Sequence, residues 1–179
     1  TLNACGSGDE EATLTGTFAD SPVAGLGVVG STTPAGTTDA LGRFSSRAGE
    51  SVSFSIGTLA LGSAVGAAVG SGVLTPLSIT PGATAASDQR VNNKLILLQT
   101  LDADGDLNNG IQITEAIRTV VSANALGINF DQPTAAFRTS LAPLLTALNS
   151  ANVFSDTDPR ARTARTAVAA LEHFTRSSS

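Results

Sequence analysis

The stretch TDALGRF at residues 38–44, followed by SVSFSI at residues 51–56, indicates that the front half of the chain is built from β-strands. Asp39 favours the start of a turn because its carboxylate can accept hydrogen bonds from nearby backbone N–H groups, and Gly42 supplies the positive φ that closes a hairpin. In residues 51–56 every second residue is apolar and the others are serines. This alternation predicts a strand with one buried face and one wet face.

Several segments carry a resemblance to known surface proteins. Residues 38–44, with the Gly-Glu turn and the alternating strand after them, resemble the carboxypeptidase-regulatory, transthyretin-like β-sandwich repeat. The segments DSPVAGL at 20–26, TDALGRF at 38–44 and LLQTLDADGD at 97–106 occur in this order in a group of bacterial surface lipoproteins, which residues 12–115 resemble. The resemblance implies a surface location, a transthyretin- or Ig-like β-sandwich and a spacer or adhesion role, but no activity.

The back half of the chain shows the patterns of amphipathic helices that pack into a small bundle. The residues expected to start these helices are Asp88, Thr114, Asp131 and the pair Asp158-Pro159. The first helix should run to about Leu101, Gly127 should end the second, and Pro143 should kink the third because proline lacks an N–H group. The residues expected to face inward are Val91, Leu95 and Leu98; Ile117, Val120, Val121 and Leu126; Phe137, Leu141, Leu144, Leu145 and Leu148; and Ala164, Val168, Leu171 and Phe174.

These patterns together predict an α+β protein. The expected parts are an N-terminal arm or tether (residues 1–11), a β-sandwich domain (12–80), a linker (81–87) and a helical domain (88–179). A length of 179 residues suits one domain or two small ones.

The composition excludes a nucleic-acid-binding protein. Charged residues make up only 14% of the chain, which has 10 Lys and Arg and a net charge of -5, whereas phosphate binding needs clustered cations. Arg160, Arg162 and Arg165 form the densest basic group, and a helical pattern there favours the wet face of a helix over a phosphate-binding patch.

Cys5 is the only cysteine, so no disulfide can form within the chain. The surrounding segment Leu-Asn-Ala-Cys-Gly resembles a bacterial lipobox, which predicts lipidation of Cys5 and anchoring to the outer membrane. Cleavage at a lipobox would remove residues 1–4. The alternative is an export signal cut before Thr1, which leaves Cys5 as an ordinary thiol.

Residues 51–87 contain no charged side chain. Gly62, Gly66 and Gly70 follow one another at the four-residue spacing of a glycine zipper, which in a membrane helix allows close packing. Five glycines between positions 57 and 72, and Pro76, favour strands and a loop over a membrane helix. An uncharged segment of this length is the best candidate for a surface that another copy covers, with these glycines as self-association residues.

The segment DADGDLNNG at residues 102–110 is the strongest candidate for a metal site. Carboxylates at alternate positions of a tight loop converge, and a hard cation such as calcium relieves their repulsion. The predicted calcium ligands are Asp102, Asp104, Asp106, Asn108 and Glu115. The spacing departs from the EF-hand because Ile113 stands where that loop has its glutamate, so the alternative is an Asp- and Asn-capped turn.

Catalytic patterns are weak. His173 is the only histidine, and we expect it to face solvent; no G-x-S-x-G segment accompanies it. We therefore expect a non-enzymatic extracellular protein of the bacterial cell surface with a structural or adhesive role, whose partners are other copies or surface components. The alternative is a self-assembling subunit of an extracellular filament, joined through its N-terminal arm and its uncharged surface.

Overall fold

A computed structural model describes residues 12–65, 72–156 and 160–179. The strands are β1 (Thr13–Phe18), β2 (Val23–Ala24), β3 (Gly27–Gly30), β4 (Gly36–Thr37), β5 (Arg43–Arg47), β6 (Val52–Ile56), β7 (Leu59–Ala64), β8 (Val73–Leu74) and β9 (Ile111–Gln112). The α-helices are α1 (Gln89–Thr100), α2 (Glu115–Ala123), α3 (Thr134–Ser140), α4 (Ala142–Ser150) and α5 (Ala167–Ser177). Strands dominate the front and helices the back, so the predicted α+β class is confirmed.

The strands form separate sheets. One has the order β5-β1-β8, with β1 antiparallel to β5 and parallel to β8. Another has the order β4-β3-β6-β7 and is antiparallel throughout. β2 and β9 pair in parallel, so the front of the chain and the back share one short sheet.

The predicted hairpin at residues 38–44 is wrong, although its turn is present. Asp39 accepts hydrogen bonds from the backbone N–H groups of Leu41 and Arg43, both at 2.9 Å, and Gly42 has a φ of +71°. The flanking strands β4 and β5 belong to different sheets, because the Gly42 carbonyl accepts a hydrogen bond from Phe18 of β1 at 2.8 Å. The turn therefore carries the chain from one sheet to the other.

Phenylalanine rings join the two larger sheets. Phe18 of β1 and Phe44 of β5 lie 4.9 and 5.2 Å from the ring of Phe54 in β6, measured between centroids. All three side chains are at most 5% exposed. Tilted and edge-to-face pairs of this kind add about 1 kcal/mol each to the hydrophobic burial. The predicted inward face of residues 51–56 is confirmed, since Val52, Phe54 and Ile56 are buried.

α1 begins after Asp88, as predicted, and is enclosed on all sides. The Asp88 carboxylate accepts a hydrogen bond from the N–H of Arg90, and Val91, Leu95 and Leu98 are fully buried. Even its polar face is covered, since every residue from 91 to 100 is buried. α1 is thus the central element of the core.

α2 begins at the predicted cap but ends early. The Thr114 hydroxyl accepts a hydrogen bond from the N–H of Ile117, while the last turn closes at Asn124, whose amide donates to the Val120 carbonyl at 2.8 Å. The predicted end at Gly127 is therefore wrong, and so is the inward position of Leu126, which is 99% exposed.

The third predicted helix is divided in two, as proline at position 143 requires. Pro143 lies in the first turn of α4, where a missing N–H group costs nothing, and the break falls at Leu141. The predicted cap at Asp131 is wrong: Pro133 precedes α3, and the Asp131 carboxylate instead accepts a hydrogen bond from the Gln89 amide.

The last helix starts later than predicted. Asp158-Pro159 lies outside the described residues, but residues 160–166 are not helical and α5 begins at Ala167, capped by Thr166. Side chains of other elements bind the backbone of this irregular segment: the Asn149 amide pairs with both backbone groups of Arg162, and Arg138 donates to the carbonyls of residues 164 and 165. Val168 is 67% exposed, so its predicted inward position is wrong.

Candidate functional site

The acidic loop at residues 102–110 lies between α1 and β9 and contains one turn of 3-10 helix, Leu107–Asn109. The Asp104 carboxylate accepts hydrogen bonds from the N–H of Asp106 at 2.9 Å and the side-chain amide of Asn109 at 2.8 Å. Asp106 accepts from the backbone and side-chain N–H groups of Asn108, at 3.1 and 2.8 Å. These carboxylates thus stabilise the turn itself.

Asp102 differs from the other two aspartates because it is fully buried. One of its oxygens accepts a hydrogen bond from the N–H of Gln112 in β9 at 2.8 Å. Burial raises the pKa of Asp102 to about 6; the Gln112 bond opposes the rise, and the neighbouring Asp104 carboxylate adds to it. The hydrogen bond from the N–H of Asp106 lowers the pKa of Asp104. Asp104 therefore carries its negative charge more readily than Asp102 does.

The guanidinium of Arg162 places a positive charge beside this loop. Arg162 donates hydrogen bonds to the carbonyl of Thr100 at 3.0 Å and that of Asp102 at 2.6 Å, and it forms an ion pair with Asp156 at 3.0 Å. Its guanidinium lies 3.9 Å from the centre of the Phe154 ring. The predicted wet helical face of the three arginines is wrong, because Arg162 lies outside a helix and its side chain is only 12% exposed.

The remaining predicted ligands are dispersed. Glu115 is exposed in the first turn of α2. Within residues 12–65, 72–156 and 160–179, no three His, Cys, Asp or Glu side chains are grouped to hold a metal ion. Calcium binding by the loop stays a prediction. Cys5, Gly66 and Gly70 lie outside the described residues.

Gly62 lies in β7 and has a φ of +149°, which side-chain-bearing residues rarely adopt. A Cβ atom at this position would overlap the carbonyl oxygen of Ile79. The absence of a side chain therefore lets the turn at residues 76–79 lie directly on β7 within the same molecule. No helix among the described residues is long and apolar enough to span a membrane.

His173 is partly buried and hydrogen-bonded within the fold, whereas a fully solvent-facing position was predicted. Its Nε2 lies 2.9 Å from the Ser21 Oγ, and the same Oγ lies 3.3 Å from the Leu107 carbonyl oxygen. The imidazole hydrogen bonds with the Asp20 backbone carbonyl, and burial lowers the pKa of His173. A Ser-His-Asp triad needs a carboxylate against the ring; here a backbone carbonyl takes that place.

The Asp20 carboxyl faces the helices and is 1% exposed. One of its oxygens accepts a hydrogen bond from Gln99 of α1 at 2.8 Å, and Gln99 also donates to the Ala170 carbonyl of α5 at 3.0 Å. Burial raises the pKa of Asp20 to about 7, against the opposing effects of the Gln99 bond and the charge of Arg165. This cluster could not be predicted from the sequence, since an aspartate before Ser-Pro is typical of an exposed turn.

The uncharged segment 51–87 supplies one of the two edge strands of each larger sheet; β5 and β4 are the other edges. Among the described strands, β7 ends the four-stranded sheet and β8 ends the three-stranded sheet. No backbone hydrogen bond joins the outer edge of β7 to another described segment. Val65 directly after β7 and Val73 in β8 are 68% and 62% exposed. We call β7 and β8 the open edges.

No protein-family model, curated protein or solved structure matches the chain. Its function therefore has to be inferred from the contacts and surfaces of its own residues.

Proposed function

We propose that this chain is a non-enzymatic extracellular protein of the bacterial cell surface that acts by contact, in a structural or adhesive role. The observation that carries the proposal is the pair of open edges, β7 and β8, both taken from a segment with no charged side chain. Unpaired strand edges are templates for pairing with another chain, and natural edges are commonly protected by charges or proline. At β7 and β8 the exposed large side chains are valines, Val65 and Val73, and not charged residues.

The use of the polar side chains supports a non-enzymatic role. Lys94, the only lysine, is buried and donates to the Thr80 hydroxyl at 2.9 Å. Arg118 donates to the carbonyls of Gly25 and Ile113, and the Asn93 amide donates to those of Phe130 and Gln132. These side chains hold segments of the chain together, and their polar groups are therefore engaged in the fold and not free to act on a substrate. A hydrolytic activity that His173→Ala removes without unfolding the protein would contradict this part of the proposal.

Surface anchoring and the β-sandwich rest on the resemblance to surface lipoproteins. The contacts of Phe18 and Phe44 with Phe54 support a sandwich, because they bring the inner faces of two sheets together. Lipidation of Cys5 would hold the chain at the outer membrane. Calcium at Asp102, Asp104 and Asp106 would stabilise the loop that joins α1 to β9.

A self-assembling filament subunit is the second candidate, and the same open edges favour it. Addition of a strand from a neighbouring copy to β7 or β8 would continue a sheet from one subunit to the next. The N-terminal arm, residues 1–11, would be one source of that strand. Head-to-tail contacts of this kind produce filaments when the rotation between copies does not close a ring.

Sedimentation velocity over a series of protein concentrations, in calcium chloride and in EGTA, tests the contact role. We expect the wild type to form oligomers that increase with concentration. The double variant Ala60→Lys/Val65→Lys should remain monomeric, because charges at a strand edge oppose pairing. Both positions are exposed, so the variant should fold normally.

Leu126→Lys is the matched control, because Leu126 is an exposed apolar residue on the helical side of the molecule. It should assemble as the wild type does. A wild type that stays monomeric at every concentration, or a control that dissociates as much as the edge variant, would overturn the open edges as the contact site. Oligomers that EGTA disperses would assign a role to calcium in assembly.

A further inference from the structure

A cavity of about 500 Å³ lies between the end of α1 and the start of α5, away from the open edges. Its lining includes the arginines Arg160, Arg162 and Arg165, with Asp156 as the acidic residue among them. The chain has a net charge of -5 and only 10 Lys and Arg residues, so three arginines around one cavity are a local concentration of positive charge. A volume of this size suits a small molecule.

Arg165 is the member of this group that needs a counter-ion. It is half-buried, and its Nε–H group is buried without a hydrogen-bond partner. Among the described residues, no carboxylate oxygen lies within 4.0 Å of its guanidinium. The charge of the Asp20 carboxyl acts on Arg165, but this carboxyl accepts its hydrogen bond from Gln99, and burial raises its pKa to about 7. A buried guanidinium N–H group without a partner is costly, and an anion in the cavity relieves that cost.

Thr166 and Ala169, at the N-terminus of α5, form part of the cavity wall. The Thr166 hydroxyl accepts a hydrogen bond from the N–H of Ala169, which leaves the N–H groups of Ala167 and Val168 without acceptors in the described structure. A helix of 11 residues presents partial positive charge at this end. Free N–H groups and that charge together favour an oxyanion.

Gln99 adds a second kind of contact. Its side chain lines the cavity, is 3% exposed and has an Oε1 atom without a partner. An amide oxygen accepts a hydrogen bond, so it selects a ligand that still carries a proton. Hydrogen phosphate combines oxyanion charge with an O–H group, whereas sulfate at neutral pH has the same shape and no proton.

We propose that this cavity is a binding site for hydrogen phosphate or a phosphomonoester, held by Arg165 and the α5 N-terminus and recognised through its P–O–H group by Gln99. This site is independent of the contact role of the open edges, and loss of phosphate binding would leave assembly unchanged.

Titration of the ¹⁵N-labelled protein with sodium phosphate at constant ionic strength tests the site. We expect saturable shifts of the Arg165 Nε–H signal and of the Ala167 and Val168 amides. Sodium sulfate should bind at least several-fold more weakly. Arg165→Gln should weaken phosphate binding about tenfold or more, the usual effect of removing one charge-assisted hydrogen bond.

Arg176→Gln is the matched control, because Arg176 is exposed on the same helix and the change alters the net charge equally. It should bind phosphate as the wild type does. Thr163→Glu places a negative charge at the exposed wall of the cavity without touching Arg165, and it should also abolish binding if Arg165→Gln fails to fold. Absence of saturable shifts in the wild type, sulfate binding as tight as phosphate, or equal losses in Arg165→Gln and Arg176→Gln would each overturn the assignment.

Discussion

Asp20 and Glu50 are buried carboxyl groups whose surroundings shift their pKa values in opposite directions. Glu50 accepts hydrogen bonds from the N–H groups of Thr32, Thr33 and Arg47 and from both threonine hydroxyls. Burial alone would raise its pKa, but these five bonds bring the pKa of Glu50 down to about 2. Asp20 has a single hydrogen bond to its carboxyl, from Gln99, so burial dominates there.

This contrast predicts a stability that is highest in mild acid. Folding raises the pKa of Asp20 from 3.8 to about 7, so its contribution is fully present below pH 3.8 and is lost as the pH rises to 7. The loss is about 4 kcal/mol at most. The lowered pKa of Glu50 acts at the other end: its contribution is present above pH 4.5 and is lost as the pH falls towards 2.

Urea unfolding of the wild type and of Asp20→Asn at several pH values between 4 and 8 measures the effect. The wild type should lose stability as the pH rises from 4 to 7, and Asp20→Asn should keep only the part of this loss, below about pH 6, that the raised pKa of Asp102 causes. Asp131→Asn is the control, since Asp131 is exposed, and it should keep the wild-type slope. A wild type equally stable at pH 5 and pH 7, or an Asp20→Asn variant with the full slope, would show that Asp20 is ionised in the fold.

At the scale of elements, the packing of β7 against the turn at residues 76–79 depends on one glycine. We expect Gly62→Ala to destabilise the protein by about 2 kcal/mol or more, because the added Cβ meets the Ile79 carbonyl and the φ of +149° is unfavourable for alanine. Gly36→Ala is the matched control, since open space surrounds Gly36. Thermal unfolding of both variants checks this expectation, and equal midpoints would exclude close packing at Gly62.

The sequence predicted those elements whose signals are local. The Asp88 cap and the alternation of residues 51–56 each depend on a residue and its near neighbours, and the structure confirms both. Near Pro143 a kink was predicted, and the structure has two helices that meet at Leu141. The late start of α5 could not be predicted in this way. Asn149, Arg138 and Thr100, which are distant in sequence, bind the backbone of the non-helical residues 162 and 165.

The candidate sites follow the same division. The turn formed by the acidic loop was visible in the sequence, because Asp104 and Asp106 bind N–H groups within a few residues. His173 and Ser21 lie 152 positions apart in the sequence, and no local sequence pattern predicts their contact. The cavity at Arg165 was hidden for the same reason, since α1 and α5 form it together.

At the scale of the whole molecule, front and back are joined. β2 and β9 form a parallel pair, with Val23 opposite Ile111, and Gln99 links the Asp20 carboxyl to α5. The buried apolar residues of strands and helices form one continuous core. Contact with other molecules is made by the surface of this single core. There, β7 and β8 have unpaired edges among the described strands.

Hydrogen–deuterium exchange, followed by mass spectrometry at low and high protein concentration, tests this contact role most directly. Pairing with a neighbouring strand would protect backbone N–H groups at the edge, so exchange in peptides covering residues 59–65 and 73–74 should slow markedly as the concentration rises, while α2 stays unchanged. Exchange at β7 and β8 that is the same at every concentration, or protection confined to the helices, would contradict the account.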